Sequence, residues 1–364
     1  MCCPQCSAKQ KPNEPLHGVL EVLLEGSPPE IFSAFDLLPV ERQFFPKIPV
    51  GNTPLWEPEN LRRRLQFLNL FIKDDTANPT GSLKDRASFL VAAFARKHGI
   101  KDVALASTGN AASSMAGVGA AAGLNVLIFI PKTAPRAKRV QSLQYGAKVI
   151  LVDGTYDKAF DLSLEYSRTH GGFNRNTAFN PLTIEGKKTV GLEIVQQLGL
   201  IGKECPDNIF IPTGDGVILS GVYKAFLDLK KFHFIERIPT IFAVQAEGSS
   251  AIARALTDGS FDIHPSHTIA DSISVDAPRN GFLALKQLQT NGGKGVQVSD
   301  DEILEAQKEL SSSTGLFAEP AAAAAFAGFL SVKDSLDKQS INVLLITGNG
   351  LKDIESAQKK LEDL

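Results

Sequence analysis

The chain has 364 residues, of which 43% are hydrophobic and 21% charged, as in an ordinary globular protein. This length is enough for two domains that each bury a core. The formal net charge of −2 is too small to create an electrostatic field that attracts nucleic acid or an anionic membrane. No apolar run approaches the roughly 20 residues that span a bilayer. Because the polar N-terminus is unlike a signal peptide, we expect a cytoplasmic protein with no nucleic-acid or membrane partner.

Three of the four cysteines, Cys2, Cys3 and Cys6, lie at the N-terminus. The Cys3-Pro-Gln-Cys6 spacing is half of a zinc ribbon, which needs a second cysteine pair at some distance. The sequence has no second pair. We therefore expect residues 1–20 to be a tail with free thiols and no metal.

Predicted strands and helices alternate along the middle of the chain. The predicted strands are Leu68–Lys73, Asp102–Ser107, Asn125–Ile130, Lys148–Val152, Asn208–Ile211, Thr240–Gln245 and Asn342–Thr347. The predicted helices are Asn110–Ala122, Ala134–Tyr145, Tyr156–Thr169 and Gly221–Leu229.

This alternation predicts an α/β fold with two three-layer domains and mainly parallel sheets. We expect residues 21–77 and 168–364 to form a large domain that binds a cofactor, and residues 78–167 to form a small domain. In such sheets, ligands bind at the carboxyl ends of strands, where glycine-rich loops meet helix N-termini.

The first informative loop follows the strand Leu68–Lys73. Its segment Asn78–Gly81 favours a turn, and a helix is predicted to begin near Ser82. Lys84 then lies in the first helical turn, where unsatisfied N–H groups and the helix dipole disfavour its ammonium and lower its pKa. Such a lysine suits Schiff-base chemistry, although a solvated lysine on an exposed helix fits the same pattern.

Two further loops also follow strands. The backbone N–H groups and small side chains of Ser107–Asn110 suit a carboxylate, although a simple helix N-cap fits equally well. The loop Pro212–Val217 has two glycines before a helix, so several backbone N–H groups can converge on a phosphate. Asp215 would repel that phosphate unless its carboxylate points away.

The fourth loop, Ile346–Asp353, follows the last predicted strand. The hydroxyl of Thr347 at the strand end can hydrogen-bond a ring nitrogen without imposing a charge. A strand-to-turn cap is the alternative interpretation.

Together these loops resemble the threonine-synthase branch of the fold type II pyridoxal-phosphate enzymes. Asn78-Pro-Thr-Gly-Ser-Leu-Lys84-Asp-Arg86 is similar to the family's cofactor-lysine motif, and Ser107-Thr-Gly-Asn110 to its second loop. Thr347-Gly-Asn-Gly-Leu-Lys-Asp353 is similar to its C-terminal loop, and Gly51-Asn-Thr-Pro-Leu55 to its entry motif. Four motifs agree in order as well as in type.

The resemblance implies a homodimer that uses pyridoxal 5'-phosphate, with Lys84 as Schiff-base lysine and base for the α proton. It implies that Asn110 meets the cofactor's phenolic oxygen and Thr347 its pyridine nitrogen, which favours elimination and replacement over transamination. The other cofactor-binding residues are then Gly214, Asp215, Gly216, Val217 and Ile218. The residues expected at the small-molecule amino-acid substrate are Ser107, Thr108, Thr177, Asn180 and Thr183.

One stretch departs from the family pattern. Family members carry Asn-Ser-x-Asn-Pro-x-Arg before Glu-Gly, whereas this chain has Thr177, Ala178 and Thr183 at the Asn, Ser and Arg positions. Threonine cannot reproduce the bidentate, charge-assisted contact of arginine with a phosphate. If the substrate is phosphorylated, the charge has to come from another basic residue, for which the candidates are Lys187, Lys188, Arg175 and Arg279.

Two polar positions outside the four loops are predicted to be structural. Glu319 precedes a helix with a proline in its first turn, where a carboxylate favours the helix dipole, although it would also suit the site. The turn Asp276–Asn280 is predicted to be a solvated loop.

The expected activity is the threonine-synthase reaction, in which O-phosphohomoserine and water give threonine and phosphate by γ-elimination and β-addition. The alternative within the fold is a β-eliminating or β-replacing lyase, a serine/threonine dehydratase or a cysteate-synthase-like enzyme, since a dehydratase needs no second phosphate pocket. A non-enzyme alternative is a catalytically silent relative that binds the cofactor and regulates a partner. A nucleotide-binding dehydrogenase is not supported, because no G-x-G-x-x-G follows an early strand.

Overall fold

A computed structural model describes residues 2–11, 14–27, 30–107, 109–132 and 136–362 of the chain. The strands of these residues are β1 Leu55–Trp56, β2 Leu70–Asp74, β3 Asp102–Ala106, β4 Asn125–Pro131, β5 Lys148–Val152, β6 Phe173–Asn174, β7 Asn208–Pro212, β8 Thr240–Ala246, β9 Lys294–Val298 and β10 Asn342–Ile346. The helices are α1 Pro4–Ser7, α2 Glu59–Leu65, α3 Lys84–Lys97, α4 Asn110–Ala122, α5 Arg136–Gln144, α6 Tyr156–His170, α7 Leu182–Leu200, α8 Val217–Lys231, α9 Ala251–Asp258, α10 Gly281–Thr290, α11 Asp300–Thr314, α12 Pro320–Val332 and α13 Ile354–Glu362.

The strands form two sheets. The larger sheet has the order β1-β2-β10-β7-β8-β9, and the smaller sheet has the order β5-β4-β3-β6. Strand β1 runs antiparallel to β2, and the other paired strands are parallel. The predicted α/β class with mainly parallel sheets is confirmed, while the domain boundaries stay a prediction.

Helices cover both faces of the larger sheet. In β10, Leu344 and Ile346 enter a core that includes residues of α11 and α12. Their neighbours Val343 and Leu345 enter a second core on the opposite face, which includes residues of α7 and α8. A strand buried on both faces has to be apolar throughout, which explains why β10 reads as an uninterrupted Val-Leu-Leu-Ile run.

The element boundaries follow the sequence pattern closely in the small sheet. Helix α4 and strand β5 have the predicted bounds. Helix α8 begins at Val217, four residues before its predicted start at Gly221, because the apolar residues after the glycine-rich loop already belong to the helix. The helix predicted from Ala134 begins in residues that lie outside the described ranges.

The N-terminal residues pack beside the turn Asp276–Asn280. The backbone N–H of Cys3 donates to the carbonyl of Gly18 at 2.8 Å, and that of Leu16 donates to the carbonyl of Arg279 at 3.0 Å. The four cysteines are free thiols. In the described ranges, no three His, Cys, Asp or Glu side chains group as a metal site, and no helix is long and apolar enough to cross a membrane.

A buried network of charges surrounds Arg86. Its Nε and Nη2 donate to the two carboxylate oxygens of Asp75 at 2.6 and 2.8 Å. Its Nη1 and Nη2 donate to the two oxygens of Glu193 at 2.6 and 2.8 Å, and Lys73 Nζ donates to Glu193 at 2.7 Å. Burial opposes ionisation of Glu193, but the positive charges of Arg86 and Lys73 outweigh it and hold the pKa of Glu193 at about 2.

This network fixes the start of α3. It joins the end of β2, the first turn of α3 and the middle of α7, and Thr53 of the entry motif adds a 2.6 Å hydrogen bond to Asp75. Arg86 lies two residues after Lys84 on the same helix. The position of Lys84 is therefore determined by residues on three other segments.

We predict that Glu193→Gln lowers the free energy of unfolding by about 3–5 kcal/mol, because it leaves Arg86 and Lys73 buried with one carboxylate fewer. The folded pKa of about 2 lies below the ordinary value of 4.5, so Glu193 stabilises the fold fully above pH 4.5. This contribution is lost as the pH falls from 4.5 towards 2. Denaturant unfolding of both proteins at several pH values measures both effects.

The matched control is Glu236→Gln at an exposed glutamate. It makes the same chemical change, and we expect it to alter the unfolding free energy by less than about 0.5 kcal/mol. Equal stabilities of the two variants would contradict the role given to the network.

Candidate active site

Two of the predicted loops are joined directly to each other. The N–H of Leu83 donates to the carbonyl of Thr347 at 2.9 Å, and the N–H of Asn349 donates to the carbonyl of Gly81 at 3.0 Å. The loop that carries Lys84 and the C-terminal loop therefore form a small antiparallel pair. Lys84 is the first residue of α3, and its half-buried side chain faces the cavity described below.

The second loop reaches the C-terminal region through Asn110. Its Nδ2 lies 2.8 and 3.1 Å from the two carboxylate oxygens of Glu319 and 3.1 Å from Ser272 Oγ. Its Oδ1 is buried without a hydrogen-bond partner among the described residues. The sequence predicts that Glu319 favours the dipole of α12. Its side chain makes no hydrogen bond that caps this helix and accepts the amide N–H groups of Asn110 instead.

The glycine-rich loop Pro212–Val217 leads into α8, and the N-terminus of that helix faces the cavity. Gly216, with φ of 80°, is the N-cap residue of α8, and no side chain caps the helix. The carboxylate of Asp215 accepts the backbone N–H of Arg279 at 2.9 Å. Burial raises the pKa of Asp215, while the positive charges of Lys84 and Lys187 act in the opposite direction. One oxygen of Asp215 is thus occupied by the Arg279 turn, and the uncapped N–H groups of α8 suit an anion.

The sequence predicts that the turn Asp276–Asn280 is a solvated loop, and this prediction is wrong because part of the turn is buried. Asn280 is fully buried, and its amide donates to the carbonyl of Gly216 at 3.1 Å. The guanidinium of Arg279 lies 5.0 Å from the ring centroid of Phe160. The local sequence shows only a polar turn. It does not reveal the contact with Asp215, which accepts the N–H of Arg279 and lies 64 residues away in the chain.

These loops enclose a cavity of about 500 Å³, which is the size of a small-molecule site. Of the residues predicted at the site, those that line it are Lys84, Ser107, Asn110, Thr177, Gly214, Asp215, Gly216, Val217 and Ile218. The cavity is formed where the carboxyl ends of β3 and β7 meet the N-termini of α3, α4 and α8.

Three of the predicted residues are not among those that line the cavity. Thr347 is buried, with 8% of its surface exposed, and is joined to Leu83 through its carbonyl. Asn180 lies in the turn before α7, and Thr183 is the second residue of that helix, where its Oγ1 donates to the carbonyl of Asn180 at 2.7 Å. Thr108, predicted at the substrate, lies outside the described residues.

The cavity also has polar lining that no motif predicted. Tyr156, the first residue of α6, lines it, and burial together with the charge of Asp215 raises the pKa of its phenol. Lys187 and Arg279, named from the sequence only as two of four possible cations, line it as well. The local sequence around Tyr156 does not predict a place in a binding site, because the pattern there is that of any residue at the start of a helix.

Pyridoxal 5'-phosphate fits these parts. Lys84 supplies an amine, the uncapped start of α8 supplies N–H groups for a phosphate, and Asn110 has an unpartnered amide oxygen beside its N–H donors. The hydroxyl of Thr347 lies on the strand end paired with the Lys84 loop.

Comparison with known proteins gives consistent results. Residues 47–348 match the protein family described as pyridoxal-phosphate dependent enzyme. A curated threonine synthase of Methanocaldococcus jannaschii is 34% identical over 319 residues, which cover 86% of this chain and 78% of that protein. A threonine synthase of Methanosarcina acetivorans is 33% identical over an alignment of 375 residues, with 96% of this chain and 91% of that protein covered.

Solved structures of the same architecture include two threonine deaminases. The enzyme of T.th. is similar with a TM-score of 0.72 and 25% identity, over 82% of this chain and 92% of that chain. The processed isoform 2 of Solanum lycopersicum has a TM-score of 0.75 and 24% identity, over 94% of this chain and 98% of that chain. At this identity the likeness to the tomato protein shows the fold alone.

Proposed function

Because this chain belongs to the family of pyridoxal-phosphate dependent enzymes, we propose that it converts O-phosphohomoserine and water into threonine and phosphate. The observation that carries this proposal is the convergence of the lysine loop, the Ser107–Asn110 loop and the glycine-rich loop on one cavity, with the C-terminal loop paired behind it. The names of the curated relatives, threonine synthase at 33–34% identity over most of the chain, support the choice of reaction.

Lys84 has two roles in this proposal. It holds the cofactor, and its amine, once displaced by the substrate's amino group, takes the proton from the α carbon. Bound pyridoxal phosphate supplies the electron-withdrawing ring that makes such protons acidic. Lys84 is suited to both tasks because the buried network around Arg86 fixes the start of its helix.

The remaining loops orient the reacting groups. The N–H groups at the start of α8 hold the cofactor phosphate, and the amide of Asn110 meets the phenolic oxygen, with Glu319 fixing its direction. The start of α4, around Ser107, receives the α-carboxylate of the substrate. The contact of Thr347 with the ring nitrogen, which the family resemblance implies, stays a prediction, because Thr347 is not among the residues that line the cavity.

A β-eliminating dehydratase is the second candidate. The observation that favours it is the start of α7, where Thr183 is fully buried and bonded to Asn180. A threonine at this position leaves no guanidinium for a substrate phosphate. Against it, the cavity holds Lys187 in addition to the helix starts that suit the cofactor phosphate and the α-carboxylate, and a dehydratase substrate carries no second anionic group for this lysine. A homodimer, implied by the resemblance of the loops, and a cytoplasmic location, expected from the polar N-terminus, are also part of the proposal.

The direct test is incubation of the purified, cofactor-loaded protein with O-phosphohomoserine, with serine and threonine as parallel substrates. We expect phosphate and threonine in equal amounts. Release of an oxoacid from serine or threonine, with no phosphate from O-phosphohomoserine, would establish the dehydratase instead.

We predict that Gly216→Ala weakens binding of pyridoxal phosphate by roughly tenfold or more. The residue has φ of +80°, and an added Cβ would lie 2.8 Å from Ala284 Cβ, so the loop has to shift at the point where α8 begins. Titration of the cofactor-free protein with pyridoxal phosphate, followed by absorbance, measures the effect.

Gly259→Ala is the matched control, since Gly259 has φ of +81° and open space around its Cβ position. It carries the same backbone cost, about 1–2 kcal/mol of stability, away from the cavity. We expect its cofactor affinity to be unchanged. If both variants bind the cofactor as the parent does, the glycine-rich loop does not hold the phosphate.

A further inference from the structure

Lys187 is a buried cation that faces the cavity. Only 1% of its surface is exposed, yet it lines the cavity with Lys84 and Thr177. Among the described residues, its ammonium has no hydrogen bond or ion pair within bonding distance. Burial lowers its pKa well below the usual range, and the charges of Lys84 and Arg175 act in the same direction. The carboxylate of Asp215 opposes this lowering, and an anion that enters the cavity stabilises the charged form of Lys187 further.

Arg175 is a second buried cation beside the same wall. Its Nη1 donates to Thr177 Oγ1 at 3.1 Å, and Thr177 lines the cavity. Its Nη2 is buried without a hydrogen-bond partner among the described residues. Burial lowers the pKa of Arg175 to about 10, so the guanidinium remains charged at neutral pH. It has no carboxylate within salt-bridge distance in the described ranges and adds positive potential behind Thr177.

The other basic and acidic groups nearby do not cancel this charge. Lys188, one of the cations considered from the sequence, is bound to Glu185 at 2.5 Å and Asp228 at 2.9 Å and does not face the cavity. Asp215 is the buried carboxylate that offsets Lys187, and one of its oxygens is taken by the Arg279 turn. Asp271 and Asp276 also line the cavity, but the charged groups that act on Lys187 are Lys84, Arg175 and Asp215. More positive than negative charge therefore surrounds Lys187, which favours a dianion such as a phosphate monoester over a neutral group.

The position of Lys187 relates it to the missing arginine. Thr183 stands where the resembling family carries that arginine, and Lys187 follows four residues later on α7. Residues four apart lie on the same face of a helix, and helical side chains lean towards the N-terminus. The side chain of Lys187 therefore leans towards the turn of α7 that holds Thr183.

We propose that Lys187, assisted by Arg175, binds the phosphate group of the substrate in place of the arginine that is absent at Thr183. The identity of the substrate rests on the proposed function. The anion site itself does not, since it follows from the burial and the missing partners of the two cations.

The test is calorimetric titration of the cofactor-loaded protein with inorganic phosphate at constant ionic strength. The cofactor occupies its own phosphate site, so added phosphate reports the second site. We expect saturable binding to the parent protein and about 10- to 100-fold weaker binding to Lys187→Gln, the usual loss when a charge-assisted hydrogen bond is removed. Lys187→Arg keeps the charge and is expected to retain most of the binding.

Lys230→Gln on the exposed end of α8 is the matched control, because it makes the same change in net charge away from the cavity. Equal affinity of the parent and Lys187→Gln, or no saturable binding to the parent, overturns the inference. Loss of the cofactor from Lys187→Gln also overturns it, because Lys187 would then serve the cofactor's own phosphate. Phosphate binding through Lys187 without turnover of O-phosphohomoserine would refute the proposed function and leave the anion site standing.

Discussion

A single buried guanidinium, that of Arg86, holds the structure of the site together. It binds two carboxylates on two different segments, and both carboxylates are needed, because burying the charge with one of them removed is strongly unfavourable. Arg86 never lines the cavity, yet it fixes the helix whose first residue is Lys84. The start of the helix that carries the reactive amine is thus held by charges that do not line the cavity.

Helix α7 connects this network to the cavity. Glu193 in its C-terminal half binds Arg86, and Lys187 near its N-terminus faces the cavity beside Lys84. One helix therefore fixes both the lysine proposed to hold the cofactor and, through a different face, the lysine proposed to hold the substrate phosphate. The distance between them does not depend on a flexible loop.

Local patterns in the sequence predict most of what surrounds the cofactor. The alternation of strands and helices predicts the parallel sheets, and a glycine-rich or hydroxyl-rich loop after a strand predicts Lys84 and Asn110 at one cavity. The contacts between distant segments have no such signal. The amide of Asn110 is held by Glu319, which lies 209 residues away, and Lys187 is distinguished from Lys188 only by which side of α7 each one faces. Long-range pairing and helix rotation are decided by packing, which a single sequence does not display.

The central claim is that Lys84, and not its buried neighbour Lys187, is the residue joined to the cofactor. Borohydride reduction of the loaded protein makes the bond between lysine and cofactor permanent, and mass spectrometry of the digested protein then locates the added pyridoxyl group. We predict a single modified peptide with the group on Lys84. A pyridoxyl group on Lys187, or on any other lysine, would contradict the account.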